Sequence, residues 1–85
     1  MEDVKIIYKG EIDLDVKRKI YELSSKYNLN FVQIEQDTEP TIIVETGCGT
    51  KELKGEINPD EVELAIESIS CEIGGKENGN EGDKD

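Results

Sequence analysis

Residues 38–57 read TEPTIIVETGCGTKELKGEI, and this stretch decides the architecture. The unbroken apolar run inside Thr41–Thr46 suits a strand buried on both faces. Gly47-Cys48-Gly49 makes a tight hairpin connection. From Thr50 to Ile57, Glu52, Lys54 and Glu56 alternate with Leu53, Gly55 and Ile57. That is the pattern of a half-buried strand, and its charges suit a sheet edge. Ahead of the run, Gln36-Asp37-Thr38-Glu39-Pro40 reads as a polar turn or crossing loop.

Working outward, Val4–Tyr8 is a short β-branched strand that Gly10 ends. Asp13–Tyr27 reads as a helix. Val16, Ile20, Leu23 and Tyr27 form one apolar stripe, Asp13 or Asp15 caps the start, and Asn28 takes a left-handed position at the end. Leu29–Glu35 is a second strand. Asn58-Pro59-Asp60-Glu61 opens a second helix, with a cap, a proline at the first helical position and acids at the positive end of the dipole. Val62, Ile66, Ile69 and Ile73 form its stripe, and Gly74-Gly75 stops it. No internal repeat is evident.

The order is β-α-β-β-β-α, an α/β domain over residues 1–73. The two most buried strands belong at the centre, giving a four-stranded mixed sheet of order 2-1-3-4 in which strand 3 runs against the rest. The helices cover either one face or both. Residues 74–85 hold no apolar side chain and read as a disordered acidic tail.

This arrangement resembles the thioredoxin/glutaredoxin fold. The resemblance is carried by strand 1 leading into a capped helix, by Thr38-Glu39-Pro40-Thr41 before a buried strand, and by the hairpin with Leu53-Lys54-Gly55 before a capped last helix. It implies a cis bond at Pro40 and a peptide-binding edge there. The helix usual between strands 2 and 3 is missing. So is the reactive Cys-x-x-Cys: its place falls on Asp13-Leu14-Asp15-Val16, whose carboxylates cap a helix but exchange no disulfide.

Composition narrows function further. The chain has 85 residues, 21 acids, 10 bases, no His and two Cys, for a net charge of −11. Without His there is no His-based general base and no His-ligated metal. Two thiols cannot form a four-thiolate site. No Asp-x-Asp-x-Asp-Gly calcium loop occurs. Asp13 and Asp15 pair more readily as caps than as metal ligands. No cofactor and no metal is therefore expected. No apolar run approaches the ~18 residues of a membrane span, and no export segment is evident, so a cytoplasmic protein is expected. The charge is uneven. Residues 1–34 carry six acids and six bases, whereas 35–73 carry eleven acids against Lys51 and Lys54. Such a field disfavours nucleic acid and anionic membranes. Lys17, Arg18 and Lys19 form the one basic cluster, with no aromatic platform beside it.

The candidate sites are few. Cys48 and Cys71 are free thiols by the default of a reducing compartment. Strand and helix lengths of roughly 26 and 20 Å nevertheless return Cys71 to the end where Cys48 lies, so a disulfide or a bidentate metal clip between them is geometrically conceivable. Glu61, Glu63 and Glu67, with Asp60 and Glu72, are placed on the solvent side of helix 2, and Glu35, Asp37 and Glu39 surround the crossing loop beside Pro40. Solubility and dipole placement explain these acids simply. Their functional reading is a contact surface for a partner protein with a basic surface. The leading expectation is a non-catalytic, redox-inactive binding module, of a size and charge that fit a phage- or plasmid-type modulator of a host factor. The alternatives are a thiol–disulfide redox protein using Cys48, with or without Cys71, and a nucleic-acid mimic that binds a basic protein.

Overall fold

The computed structural model describes residues 1–71. Six elements follow in the expected order: β1 (Asp3–Lys9), α1 (Leu14–Leu23), β2 (Asn28–Ile34), β3 (Thr41–Thr46), β4 (Gly49–Lys54) and α2 (Pro59–Ile69). The sheet order is β2-β1-β3-β4. β2 runs parallel to β1, and β3 pairs antiparallel with both β1 and β4.

Register settles where the helices sit. Ile6 pairs with Val44 and Tyr8 with Ile42 across the central strands, and Val4 pairs with Leu29. Val4, Ile6, Ile42 and Val44 are buried, together with Val16, Ile20 and Leu23 of α1 and Val62, Ala65 and Ile66 of α2. The two helices also pack on each other. Both therefore cover one face. The opposite face presents Lys5, Ile7, Lys9, Ile43 and Glu45, with no helix on it among the described residues. Ile43 is consequently half-buried, which corrects the expectation that β3 is covered on both sides.

Most departures from expectation lie at element ends. α1 stops at Leu23 rather than Tyr27, because Ser24 and Ser25 turn their hydroxyls back onto the carbonyls of Tyr21 and Glu22. Tyr27 still reaches the core. Asp13 holds the N-cap position of α1, but its side chain makes no capping hydrogen bond. Asn58 does cap α2: its Oδ1 accepts from Asp60 N–H at 3.0 Å, and Glu61 accepts from Asn58 N–H at 2.8 Å. Asn28 is the first residue of β2, its N–H donating to the Glu2 carbonyl, and does not close a helix. β4 ends at Lys54, where Gly55 turns with φ +81° and gives its N–H to the Pro40 carbonyl. No cis peptide bond occurs among the described residues, so Pro40 is trans, against what the resemblance implies. α2 ends at Ile69 because Ser70 is extended, at ψ 132°. Ile73, Gly74-Gly75 and the tail 74–85 lie outside the described residues.

Gly10 and Gly55 both occupy the left-handed region, but only Gly10 is also crowded: a Cβ there would sit 2.7 Å from the Thr38 carbonyl oxygen. At Gly55 the nearest atom is the end of the Glu39 side chain, 3.7 Å away. Gly55→Ala should therefore cost about 1 kcal/mol, the conformational penalty alone. Gly10→Ala should cost clearly more, because the backbone of the crossing loop must move. Urea unfolding followed by circular dichroism checks the ranking, and equal losses would contradict it.

Candidate functional site

One end of the sheet gathers the junctions that matter. β1 leaves through Gly10 into α1, β4 leaves through Gly55 into α2, and the loop 35–40 crosses over β1 to enter β3. Between the two helix starts lies a cleft of about 700 Å³. Ile12, Val16, Ile57 and Pro40 supply its apolar lining, and Glu11, Asp13, Glu56 and Glu61 its carboxylates. Glu11 also borders a shallower neighbour of about 520 Å³, together with Glu35 and Asp37. No Lys or Arg lines either cleft. Glu11, Asp13, Glu35, Asp37, Glu39 and Glu56 make no salt bridge among the described residues. The positive ends of both helices face this pole and offset part of the repulsion among its acids.

The acids expected to form a partner surface are divided by the fold. Asp37, Glu39, Pro40 and Glu61 come together at this pole, where Glu61 is held by its cap. Glu63 is half-buried rather than on the free side of α2. It turns to α1 and bridges Lys19 at 3.0 Å and Lys26 at 2.8 Å. Glu67 lies one turn further along α2, away from the pole and half-buried. The hydrogen bond from Lys26, then that from Lys19, holds the Glu63 carboxyl below its ordinary value. The same contacts hold both ammonium groups above theirs. Glu72 lies outside the described residues.

Glu11 and Glu56 were not among the expected site residues, yet a signal for them exists. Lys9-Gly10-Glu11-Ile12-Asp13 and Lys54-Gly55-Glu56-Ile57-Asn58 are nearly the same five residues. Each copy ends a strand, turns on a left-handed glycine, packs an isoleucine against the core and supplies the N-cap of a helix. β1 and β4 flank β3 in the same direction, so the two copies stand at one pole on either side of β3, and both glutamates line one cleft. This short repeat corrects the reading that the chain has none.

The opposite pole holds the sulfur. Cys48 and Cys71 form a disulfide, with Cα atoms 5.4 Å apart, which overturns the expectation of free thiols. Chain lengths do bring the two ends together, and local contacts complete the fit. Thr46 Oγ1 donates to the Ile69 carbonyl at 2.5 Å, and Cys48 N–H donates to Thr46 Oγ1. Glu2 accepts from Ser70 Oγ at 2.6 Å and from Cys71 N–H at 2.7 Å. The bond thus fastens the β3–β4 turn to the end of α2. Among the described residues, no three His, Cys, Asp or Glu side chains converge as metal ligands would. No helix among them is long and apolar enough to cross a membrane.

Two outcomes follow. Reducing the disulfide, or Cys71→Ser, should lower stability by up to about 3 kcal/mol, the chain-entropy value for a bond spanning 23 positions. The far-UV spectrum should be kept, and a urea titration with and without reductant reads the loss. The Glu63 contribution is complete above the ordinary carboxylate value of 4.5 and is lost as pH falls through the lowered one. At the alkaline end it is lost only as pH rises past the raised lysine values, above 10.5. Glu63→Gln should therefore lower the urea midpoint at neutral pH and shrink the drop between pH 7 and pH 3. An unchanged acid limb would show the network to be silent.

Against known proteins, the chain matches no family model, no curated protein and no solved structure.

Proposed function

We propose that this chain is a redox-inactive, thioredoxin-like binding module that engages a basic segment of a protein partner at the acidic pole. One observation carries the reading: two adjoining clefts lined by carboxylates, with no Lys or Arg in either wall. The apolar lining of Ile12, Val16, Ile57 and Pro40 suits the methylene stem of a lysine or arginine, and the paired Glu11 and Glu56 suit its charged head. The thioredoxin-like part of the proposal is supported by the element order, by the sheet order, and by Pro40 lying beside the start of α1.

The redox alternative draws on the disulfide itself. It is the weaker reading because both sulfurs sit at the far pole, while Asp13-Leu14-Asp15-Val16 occupies the mouth of α1. A nucleic-acid mimic would need regularly spaced free acids along α2, and Glu63 is already neutralised by Lys19 and Lys26.

The test is titration with short arginine-rich peptides, read by amide chemical shifts and calorimetry. Shifts should centre on residues 10–13, 35–40 and 55–58. Affinity should fall steeply with salt, and Glu11→Lys with Glu56→Lys should weaken binding at least about tenfold, a loss of roughly 1.4 kcal/mol. Cys48→Ser should leave binding unchanged, and the protein should not reduce insulin. Undiminished binding by the double charge reversal, or insulin reduction that depends on Cys48, would refute the proposal.

A further inference from the structure

The two edges of the sheet are built in opposite ways. β4 carries Lys51, Glu52 and Lys54 among its six residues, charges that oppose pairing with another chain. β2 reads Asn-Leu-Asn-Phe-Val-Gln-Ile, seven residues without charge or proline, in a chain that is 36% charged. Its one strand neighbour is β1. Because Asn28 N–H donates to the Glu2 carbonyl, the backbone groups of Asn28, Asn30, Val32 and Ile34 face β1. Those of Leu29, Phe31 and Gln33 face outward. Phe31 remains 48% exposed and Val32 38%.

We infer that this edge pairs antiparallel with β2 of a second copy of the chain, about a two-fold axis at Phe31, joining two four-stranded sheets into one. Charge selects the occupant. Each copy carries −11, but the imbalance lies in residues 35–73, whereas residues 1–34 hold six acids and six bases. The β2 edge lies across the sheet from β4, so it is the flank where two copies meet with least repulsion. Charge also selects the direction. Full antiparallel overlap sets Phe31 opposite its own counterpart and Leu29 opposite Gln33. It brings the acidic loop that begins at Glu35 beside Lys26, ahead of the other copy's β2, whereas a parallel pairing would lay acidic loop against acidic loop. Such a contact is isologous and closed. An edge of this length buries less than the ~1,200 Å² of a standard stable interface, so association is expected at micromolar to millimolar protein.

The full chain is tested by sedimentation velocity over that range, with amide hydrogen exchange measured at both ends of it. The mass should rise from 9.5 kDa towards twice that value. The outward amides of Leu29, Phe31 and Gln33 should gain at least about tenfold protection at high concentration, as ladder donors do. Phe31→Lys sets like charges face to face at the axis, and should weaken association at least about tenfold. Gln33→Pro removes an outward donor while leaving the β1 ladder intact, and should do the same; circular dichroism reports whether each variant is folded. A wild-type chain that stays monomeric to millimolar concentration would overturn the inference. So would a dimer whose β2 amides exchange as in the monomer, or folded variants that associate as tightly as the wild type. Protection of those amides only when an extended peptide of another protein is added would give the edge to a different partner, and would equally overturn it.

Discussion

Ile6 and Val44 face each other across the two central strands, and neither has accessible surface. Ile42 is equally buried, two residues along. This strip of side chains is the floor on which both helices lie. With only 34% apolar residues in the chain, there is little else to bury. The consequence is economy of position. Each helix commits one stripe, Val16-Ile20-Leu23 or Val62-Ala65-Ile66, to the same floor, and the two must then touch each other. Lys19, Glu63 and Lys26 lie along that helix–helix seam and fill it with charge of alternating sign.

What could be read from residues alone follows from how local the cause is. β3 and the start of α2 were legible to the residue, because an apolar run before Gly47 and an Asn-Pro-Asp-Glu start act within a few positions. The end of α1 was not, because Ser24 and Ser25 compete with the helix through hydroxyls whose choice of acceptor depends on the fold. The disulfide was half legible: strand and helix lengths return both cysteines to one end, but their meeting depends on Glu2 and Thr46 holding Ser70, Cys71 and Ile69 in place. Nothing in the sequence near Glu2 announces that contact. At the acidic pole, Asp37, Glu39 and Pro40 could be found from the loop they share. Glu11 and Glu56 lie 45 positions apart in sequence, and only the shared direction of β1 and β4 brings both to one cleft. Glu63 misled because charge pattern does not say which side of a helix meets another helix.

The two ends of the sheet answer different physical demands. The acidic pole concentrates like charges where repulsion works against folding, and two helix N-termini and a tight pair of glycine turns hold it in shape. The opposite pole carries the one covalent cross-link, fastening the β3–β4 turn to the end of α2. A cross-link there leaves the acidic pole free of covalent constraint while limiting how far α2 can drift from β4.

The direct crossing from β2 to β3 has a second effect, on the sheet itself. Six residues, 35–40, make the connection with no helix, so nothing among the described residues covers the face that carries Ile7, Val32 and Ile43. Ile7 pairs with Val32 on one side and Ile43 on the other, an apolar row bounded by Glu52 on β4. On the β2 side no such charge bounds it. The row therefore runs out at an uncharged edge, where Leu29, Phe31 and Gln33 turn their backbone groups outward. The same short loop sets both features, since it carries the acids of the pole and ends the strand that forms the edge.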